Sequence, residues 1–281
     1  LERVIVDEGN GTVTCTLLAK AFYHCTALTQ IPHEWKIKKI PSQCFAHCTG
    51  LETMLLAQCN NIGPSAFQDS GVTTMDLTHV TCVQKDAFKN CIGLHTVQFG
   101  SNPVKLLDGA FCNTGIVHLK LPNVSVDKAA YVFARCLKLV SVCYEPTTTT
   151  DKIWIGPYMF AMCDKLTSCK FAENTVGIKS HAFEMCIALL SIRLPAGLTT
   201  IETAAFMTCV KLRSVQYDTR KLISAPDVEE PYTFGRMAFG RCVHLRHLQL
   251  ERHNIQLGES CFEDCARLQS ARFRGNGTLE I

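Results

Sequence analysis

The chain has 281 residues, 47% of them hydrophobic and 19% charged, a balance that supports a packed core and excludes intrinsic disorder. Twenty-eight basic against 25 acidic residues leave a net charge of +3, too small an asymmetry for a nucleic-acid coat or a membrane-surface peptide, so no nucleic-acid partner is expected. No stretch reaches the ~18 consecutive apolar residues that a membrane span requires, and this sequence is not expected to insert into a bilayer.

From the first residues onward the chain repeats itself. Leu1, Val4 and Val6 are spaced three and two apart, like the later apolar triplet Leu189, Ile192 and Leu194, so the sequence opens in the second half of a coil. Aligned on Phe, the repeats have anchors at Phe22, Phe45, Phe67, Phe88, Phe111, Phe133, Phe160, Phe183, Phe206, Phe239 and Phe262, most of them 21 to 23 residues apart. Three residues after the anchor stands Cys in nine of the eleven repeats: Cys25, Cys48, Cys91, Cys136, Cys163, Cys186, Cys209, Cys242 and Cys265. Ser70 and Thr114 fill the two remaining slots, and each is followed by Gly and by a repeat one residue shorter. After the Cys come apolar triplets such as Leu94, Val97 and Phe99, then Leu189, Ile192 and Leu194, then Leu212, Val215 and Tyr217. Leu279 and Ile281 read as the opening strand of a further unit, and the expectation is an internal fragment of a longer solenoid.

A unit of about 23 residues cannot bury both its Phe and its triplet, so neighbouring units must stack and share one core. Around Val215 the chain alternates, with Val215 and Tyr217 inward and Ser214 and Gln216 outward, which predicts one parallel sheet along the coil. Ile178 to Ala182 and Ile201 to Ala205 could form a second short strand per unit. The Ala-Phe-x-x-Cys piece is too short for a full helix and predicts a tight turn or 3₁₀ segment. The fold class expected is a β-rich repeat solenoid forming a single domain over 1–281, with eleven complete repeats, partial repeats at both ends and insertions near 145–152 and 218–233.

Ile62-Gly63-Pro64-Ser65-Ala66-Phe67 and Ala182-Phe183-Glu184-Met185-Cys186-Ile187-Ala188-Leu189 carry the pattern Ile-Gly-x-x-Ala-Phe-x-x-Cys-x-x-Leu, and the chain resembles the BspA-like class of leucine-rich repeats over essentially its whole length. The resemblance implies a right-handed leucine-rich-repeat coil with a concave parallel sheet, used for protein recognition and known mainly from surface proteins of bacteria and protists. It implies no enzymatic residues.

Seventeen cysteines cannot all pair within the chain. Nine on one inward row would sit ~4.8 Å apart with parallel side chains, whereas a disulfide needs facing β-carbons at ~3.8 Å. A ladder of buried thiols donating weakly to turn carbonyls is the expectation, and it favours a reducing cytoplasm, while the resemblance allows a cell-surface location. No Cys-x-x-Cys occurs; Cys44 with Cys48 and Cys261 with Cys265 straddle an anchor Phe and read as turn packing rather than zinc half-sites. His24 and His47 precede ladder cysteines and could stack outside the turn, and His244 and His247 fall one on a turn and one on a strand. Nucleophile-elbow, phosphate-loop, zincin and dinucleotide motifs are all absent from the sequence, so neither enzymatic activity nor a cofactor or metal is expected.

Outward positions of the sheet form two rows. The first runs Thr53, Thr74, Thr96, His118, Ser141, Ser168, Ser191, Ser214, His247, Ser270 and suits a hydrogen-bonded hydroxyl ladder or a binding stripe. The second runs Leu55, Asp76, Gln98, Lys120, Cys143, Lys170, Arg193, Gln216, Gln249, Arg272, with four cations and no acid in its later part. Lys120, Lys170, Arg193, Gln216, Gln249 and Arg272 are therefore the candidate contacts for a protein partner, one of acidic character. Both insertions follow a sheet strand, at Glu145 to Lys152 and within Asp218 to Thr233, and offer a second possible binding edge. Asn10, Asn123 and Asn276 head glycosylation sequons, meaningful only in a secreted protein. Two functions follow from these features: an intracellular scaffold or assembly component, or a cell-surface adhesion or receptor ectodomain binding host or matrix proteins.

Overall fold

A computed structural model describes residues 16–32, 35–122, 124, 126, 128–145, 151–217, 231–250, 254–273 and 279–280. The three sequon asparagines, Thr147 to Thr150 and the 218–230 part of the second insertion lie outside the described residues. Among those described there is no helix, and every strand pairing is parallel. Parallel strands cannot be joined by a hairpin, so each repeat travels once round the coil before pairing with the next.

Two sides of each coil are strands. On the first, the Ser191–Leu194, Ser214–Tyr217, His247–Leu250 and Ser270–Phe273 strands form a four-stranded sheet. In this sheet Ile192 is in register with Val215, and Val215 with Leu248. Inward and outward residues alternate as expected: Ser214 and Gln216 are accessible, Val215 and Tyr217 buried. The single sheet expected on this side is interrupted. Thr74–Leu77 pairs only with Thr96–Phe99, and His118–Leu121, Ser141–Tyr144 and Ser168–Lys170 form a separate three-stranded group. Thr53 to Leu56 is not a strand at all. Two of the interruptions precede the strands that follow the shortened Ser70-Gly71 and Thr114-Gly115 corners, where the ladder arrives one residue early. At those corners the backbone lies so close to the previous coil that a Cβ on Gly71 would collide with Thr49 O, and one on Gly115 with Ile92 O.

The second side also carries short parallel strands, including Thr175–Ile178, Thr200–Ile201 and Tyr232–Phe234. The strands end at Ile178 and Ile201 instead of beginning there, because the turn starts at the next residue.

That turn, centred on the anchor Phe, is the third side. It is not 3₁₀: the residues two before and two after each anchor are left-handed, as at His181 and Met185 (φ 60° and 59°) or Ala204 and Thr208 (φ 54° and 63°). For a side-chain-bearing residue this conformation costs ~1–2 kcal/mol. The compensation is a third inter-coil ladder. Around Phe183, His181 N donates to Thr203 O, Phe183 N to Ala205 O and Met185 N to Met207 O, at 2.7–2.9 Å, and the same triplet recurs up the coil.

Inside, the eleven anchor rings make one uninterrupted stack from Phe22 to Phe262, with neighbouring centroids 5.0–5.8 Å apart. The anchors Phe45 to Phe239 are fully buried, and the triplets Leu189, Ile192, Leu194 and Leu212, Val215, Tyr217 are buried with them. Phe22, Phe262, Cys25 and Cys265 are only half-buried, short of the full burial expected, since a described coil covers them on one side alone.

Candidate functional site

The cysteine row is a thiol ladder with one defined acceptor. Cys48 donates to Phe22 O, Cys91 to Phe67 O, Cys136 to Phe111 O, Cys163 to Phe133 O and Cys186 to Phe160 O; Cys209, Cys242 and Cys265 continue with Phe183, Phe206 and Phe239, all at 2.9–3.3 Å. Each thiol thus satisfies the anchor carbonyl of the preceding coil. Ser70 and Thr114 meet the next thiol instead, at 3.4 Å from Cys91 and 3.2 Å from Cys136. Burial pushes these thiols up, Cys48 and Cys136 to about 11 and Cys91 to about 12, so none is a ready nucleophile at neutral pH. Among the described residues no group of three His, Cys, Asp or Glu side chains is arranged to hold a metal ion. His244 accompanies Val210 O at 2.7 Å on the turn and His247 lies on its strand, so the pair does not converge. His24 and His47 do stack outside the turn, 5.7 Å apart.

The first outward row is not a continuous hydroxyl ladder. Only its imidazoles bridge coils, His118 to Ser141 (2.8 Å) and His247 to Ser270 (3.1 Å). An imidazole spans the ~4.8 Å between neighbouring strands easily, whereas two short hydroxyls meet only at the limit of hydrogen bonding, as Thr233 and Thr200 do at 3.4 Å on the second side.

In the second row Lys120, Lys170, Arg193, Gln216 and Gln249 are all exposed. Lys120 and Lys170 flank Cys143 in register, and Arg193, Gln216, Gln249 and Arg272 are successive partners in the four-stranded sheet. The row is divided between Lys170 and Arg193, whose strands belong to separate sheets. Among the described residues neither Lys120, Lys170 nor Arg193 has an acidic side chain within ion-pairing distance, although pairs occur elsewhere, as Lys179 with Glu202 at 2.7 Å. Two further cations escape a strict period-two reading. Arg213 and Arg246 immediately precede their strands, are exposed, and lie on adjacent coils, Arg246 N donating to Arg213 O at 2.9 Å. Their signal in the sequence is the residue just before the outward row.

A stack of parallel coils around a continuous aromatic spine, with accessible polar rows and a ladder of thiols tied to anchor carbonyls, defines a leucine-rich-repeat solenoid. The chain belongs to the family described as BspA type Leucine rich repeat region, which matches residues 15–140 and 153–278 in six copies. Proteins built from such repeats are generally interaction or surface-type modules and typically non-catalytic. No curated protein matches the chain. Among solved structures it is similar to a leucine-rich repeat protein from Bacteroides ovatus, at 18% identity over 83% of this chain and 81% of that one, TM-score 0.47. It is also similar to the leucine rich repeat protein of T. pallidum (21% identity, 74% and 75% covered, TM-score 0.40). A leucine rich cell surface protein from Faecalibacterium prausnitzii is a third, at 20% identity, 90% and 79% covered, TM-score 0.37. Among the described residues no helix is long and apolar enough to cross a membrane.

Proposed function

We propose that the chain is a single solenoid of eleven repeats acting as a non-catalytic protein-recognition module, an intracellular scaffold or assembly component, whose outward sheet face takes an acidic segment of a partner protein. The observation that carries this reading is the run of exposed cations Lys120, Lys170 and Arg193, flanked by Arg213 and Arg246, with no acidic partner among the described residues. Gln216, Gln249 and Arg272 extend the same face by register. Surface cations left unpaired give a potential that steers encounter, each contributing roughly 1 kcal/mol or less to affinity when exposed. The nine ladder cysteines, all thiols, support the intracellular side of the reading, since a reducing compartment preserves them.

The test uses acidic peptides selected by panning a random-peptide display library on the chain. Lys170→Glu with Arg193→Glu should leave the melting temperature nearly unchanged, slow association with those peptides and flatten its salt dependence. Unaltered association would retire the sheet face and turn attention to the sequence insertions at Thr147 to Thr150 and Pro226 to Pro231.

A further inference from the structure

The turn side carries a second surface, independent of the sheet face. Along the row two residues before each anchor stand Asp86, Gly109, Tyr131, Tyr158 and His181 on successive coils. Three of these are rings in a stack: Tyr131 on Tyr158 at 4.5 Å and 16°, and Tyr158 on His181 at 4.5 Å and 1°. Tyr131 is 46% exposed, and on the coil beyond its other face the row holds glycine. Glycine is not needed there for backbone reasons alone. The equivalent position in other coils is left-handed with a side chain attached, including Tyr131 (φ 61°), Tyr158 (φ 54°) and Ala204 (φ 54°), beside Gly109 at φ 61°. What Gly109 contributes is room for the Asp86 carboxylate, whose Oδ1 lies so close that a Cβ on Gly109 would collide with it.

The gap it leaves is bounded by Tyr131 on one side and Asp86 on the other. The two coil steps between them measure 5.1 and 5.2 Å at the anchor rings, so a ring laid on the exposed face of Tyr131 would face the Asp86 carboxylate that reaches over Gly109. The gap opens into a groove of about 830 Å³. Its rim is polar and of both signs: Lys85, Asp86, Asp108, Asn113 and Arg135 line it. Asp108 Oδ1 accepts from Ala130 N at 2.9 Å, and Asp86 faces Lys89 at 3.5 Å. An amide ladder runs into the groove, Asn113 donating to Asn90 Oδ1 (3.0 Å) and Asn90 to Asp69 Oδ1 (2.9 Å), so Asn113 Oδ1 stands at its end as an acceptor.

A ligand of strong net charge would meet like charge somewhere on this rim, and a plain hydrocarbon ring would strip water from it without replacing the hydrogen bonds. Hydroxyl groups, each one donor and two acceptors, satisfy carboxylate, amide and ammonium alike. We infer that the Gly109 gap is a saccharide site, in which one sugar ring lays its C–H face on Tyr131 and turns its hydroxyls to Asp86, Asp108, Asn113 and Arg135. The solenoid would then read glycan on its turn side and protein on its sheet.

The whole chain is applied to a printed glycan array, and the best-retained glycan is titrated against wild type, Tyr131→Ala and Gly109→Tyr. Gly109→Tyr puts the chain's own ring over Tyr131 and forces the Asp86 carboxylate aside, with the backbone in a conformation Tyr131 and Tyr158 already adopt. Both variants should bind at least tenfold more weakly while remaining folded at the assay temperature by circular dichroism, with unchanged association with the acidic peptides. Retention of no glycan by wild type, or equal binding by either folded variant, would overturn the assignment; should Gly109→Tyr fail to fold, Tyr131→Ala alone decides.

Discussion

Replacing Phe183 by Ala should cost ~3–5 kcal/mol, the range for emptying a buried Phe site, because transfer energy is lost and a cavity remains. The position is demanding. Phe183 is fully buried between Phe160 at 5.3 Å and Phe206 at 5.0 Å, and Phe171 meets its edge at 5.8 Å. Such ring pairs contribute about 0.5–1.5 kcal/mol each beyond area, so the loss belongs at the upper end of the range. Phe262, half-buried with one stacked anchor neighbour at 5.6 Å, should cost roughly half as much on the same change. Urea unfolding followed by circular dichroism measures both. Because stability in a solenoid is approximately a sum of units and interfaces, the interior variant should lower the midpoint most and broaden the transition as the two halves uncouple. Equal costs at Phe183 and Phe262, or an interior cost below ~1 kcal/mol, would refute the continuous aromatic spine.

Three further outcomes follow from the same structure. A thiol reagent should label few of the seventeen cysteines in the native protein and nearly all of them after denaturation without reductant; thiols still unlabelled when unfolded would mean disulfides. Ladder thiols raised from about 9 to about 11–12 are protonated in the folded chain where the unfolded chain is already ionised, so stability is complete below pH ~9 and falls between pH 9 and about 12. At pH 10 the loss is roughly 1 kcal/mol per fully buried ladder thiol, and a flat pH dependence of the urea midpoint up to pH 10.5 would contradict the ladder. Gly115→Ala drives a Cβ into Ile92 O, a backbone atom that cannot step aside, and should cost ~1–3 kcal/mol by thermal melting; a neutral result would mean the shortened corner is looser than described.

The spine and the thiol row were legible in the sequence because each position has one role in every coil. Phe must stack and Cys must fit beneath a carbonyl, so residue identity itself repeats. The left-handed pair around the anchor was not legible. Its occupants include Lys20, Gln43, Tyr158 and Met237, none of them a residue that favours positive φ, and the conformation is imposed by hydrogen bonds to the next coil. The sheet interruptions were hidden for a related reason, since a one-residue shortening at Gly71 or Gly115 reads as a spacing variant until the ladders are seen to miss. On the sheet face, alternation located Lys120, Lys170 and Arg193 but passed over Arg213 and Arg246, which lie one step before the strand. The significance of Gly109 depends on Asp86 in the preceding coil and Tyr131 in the following one and could only be read from the stack.

The sheet-face claim is tested most directly by zero-length carbodiimide cross-linking of a selected acidic peptide to the chain, with the coupled lysines identified by mass spectrometry. Peptide carboxylates should couple to Lys120 and Lys170, and less as salt is raised. Coupling concentrated instead at Lys36, Lys38 and Lys39 or at Lys85 and Lys89, away from the outward sheet row, would contradict it.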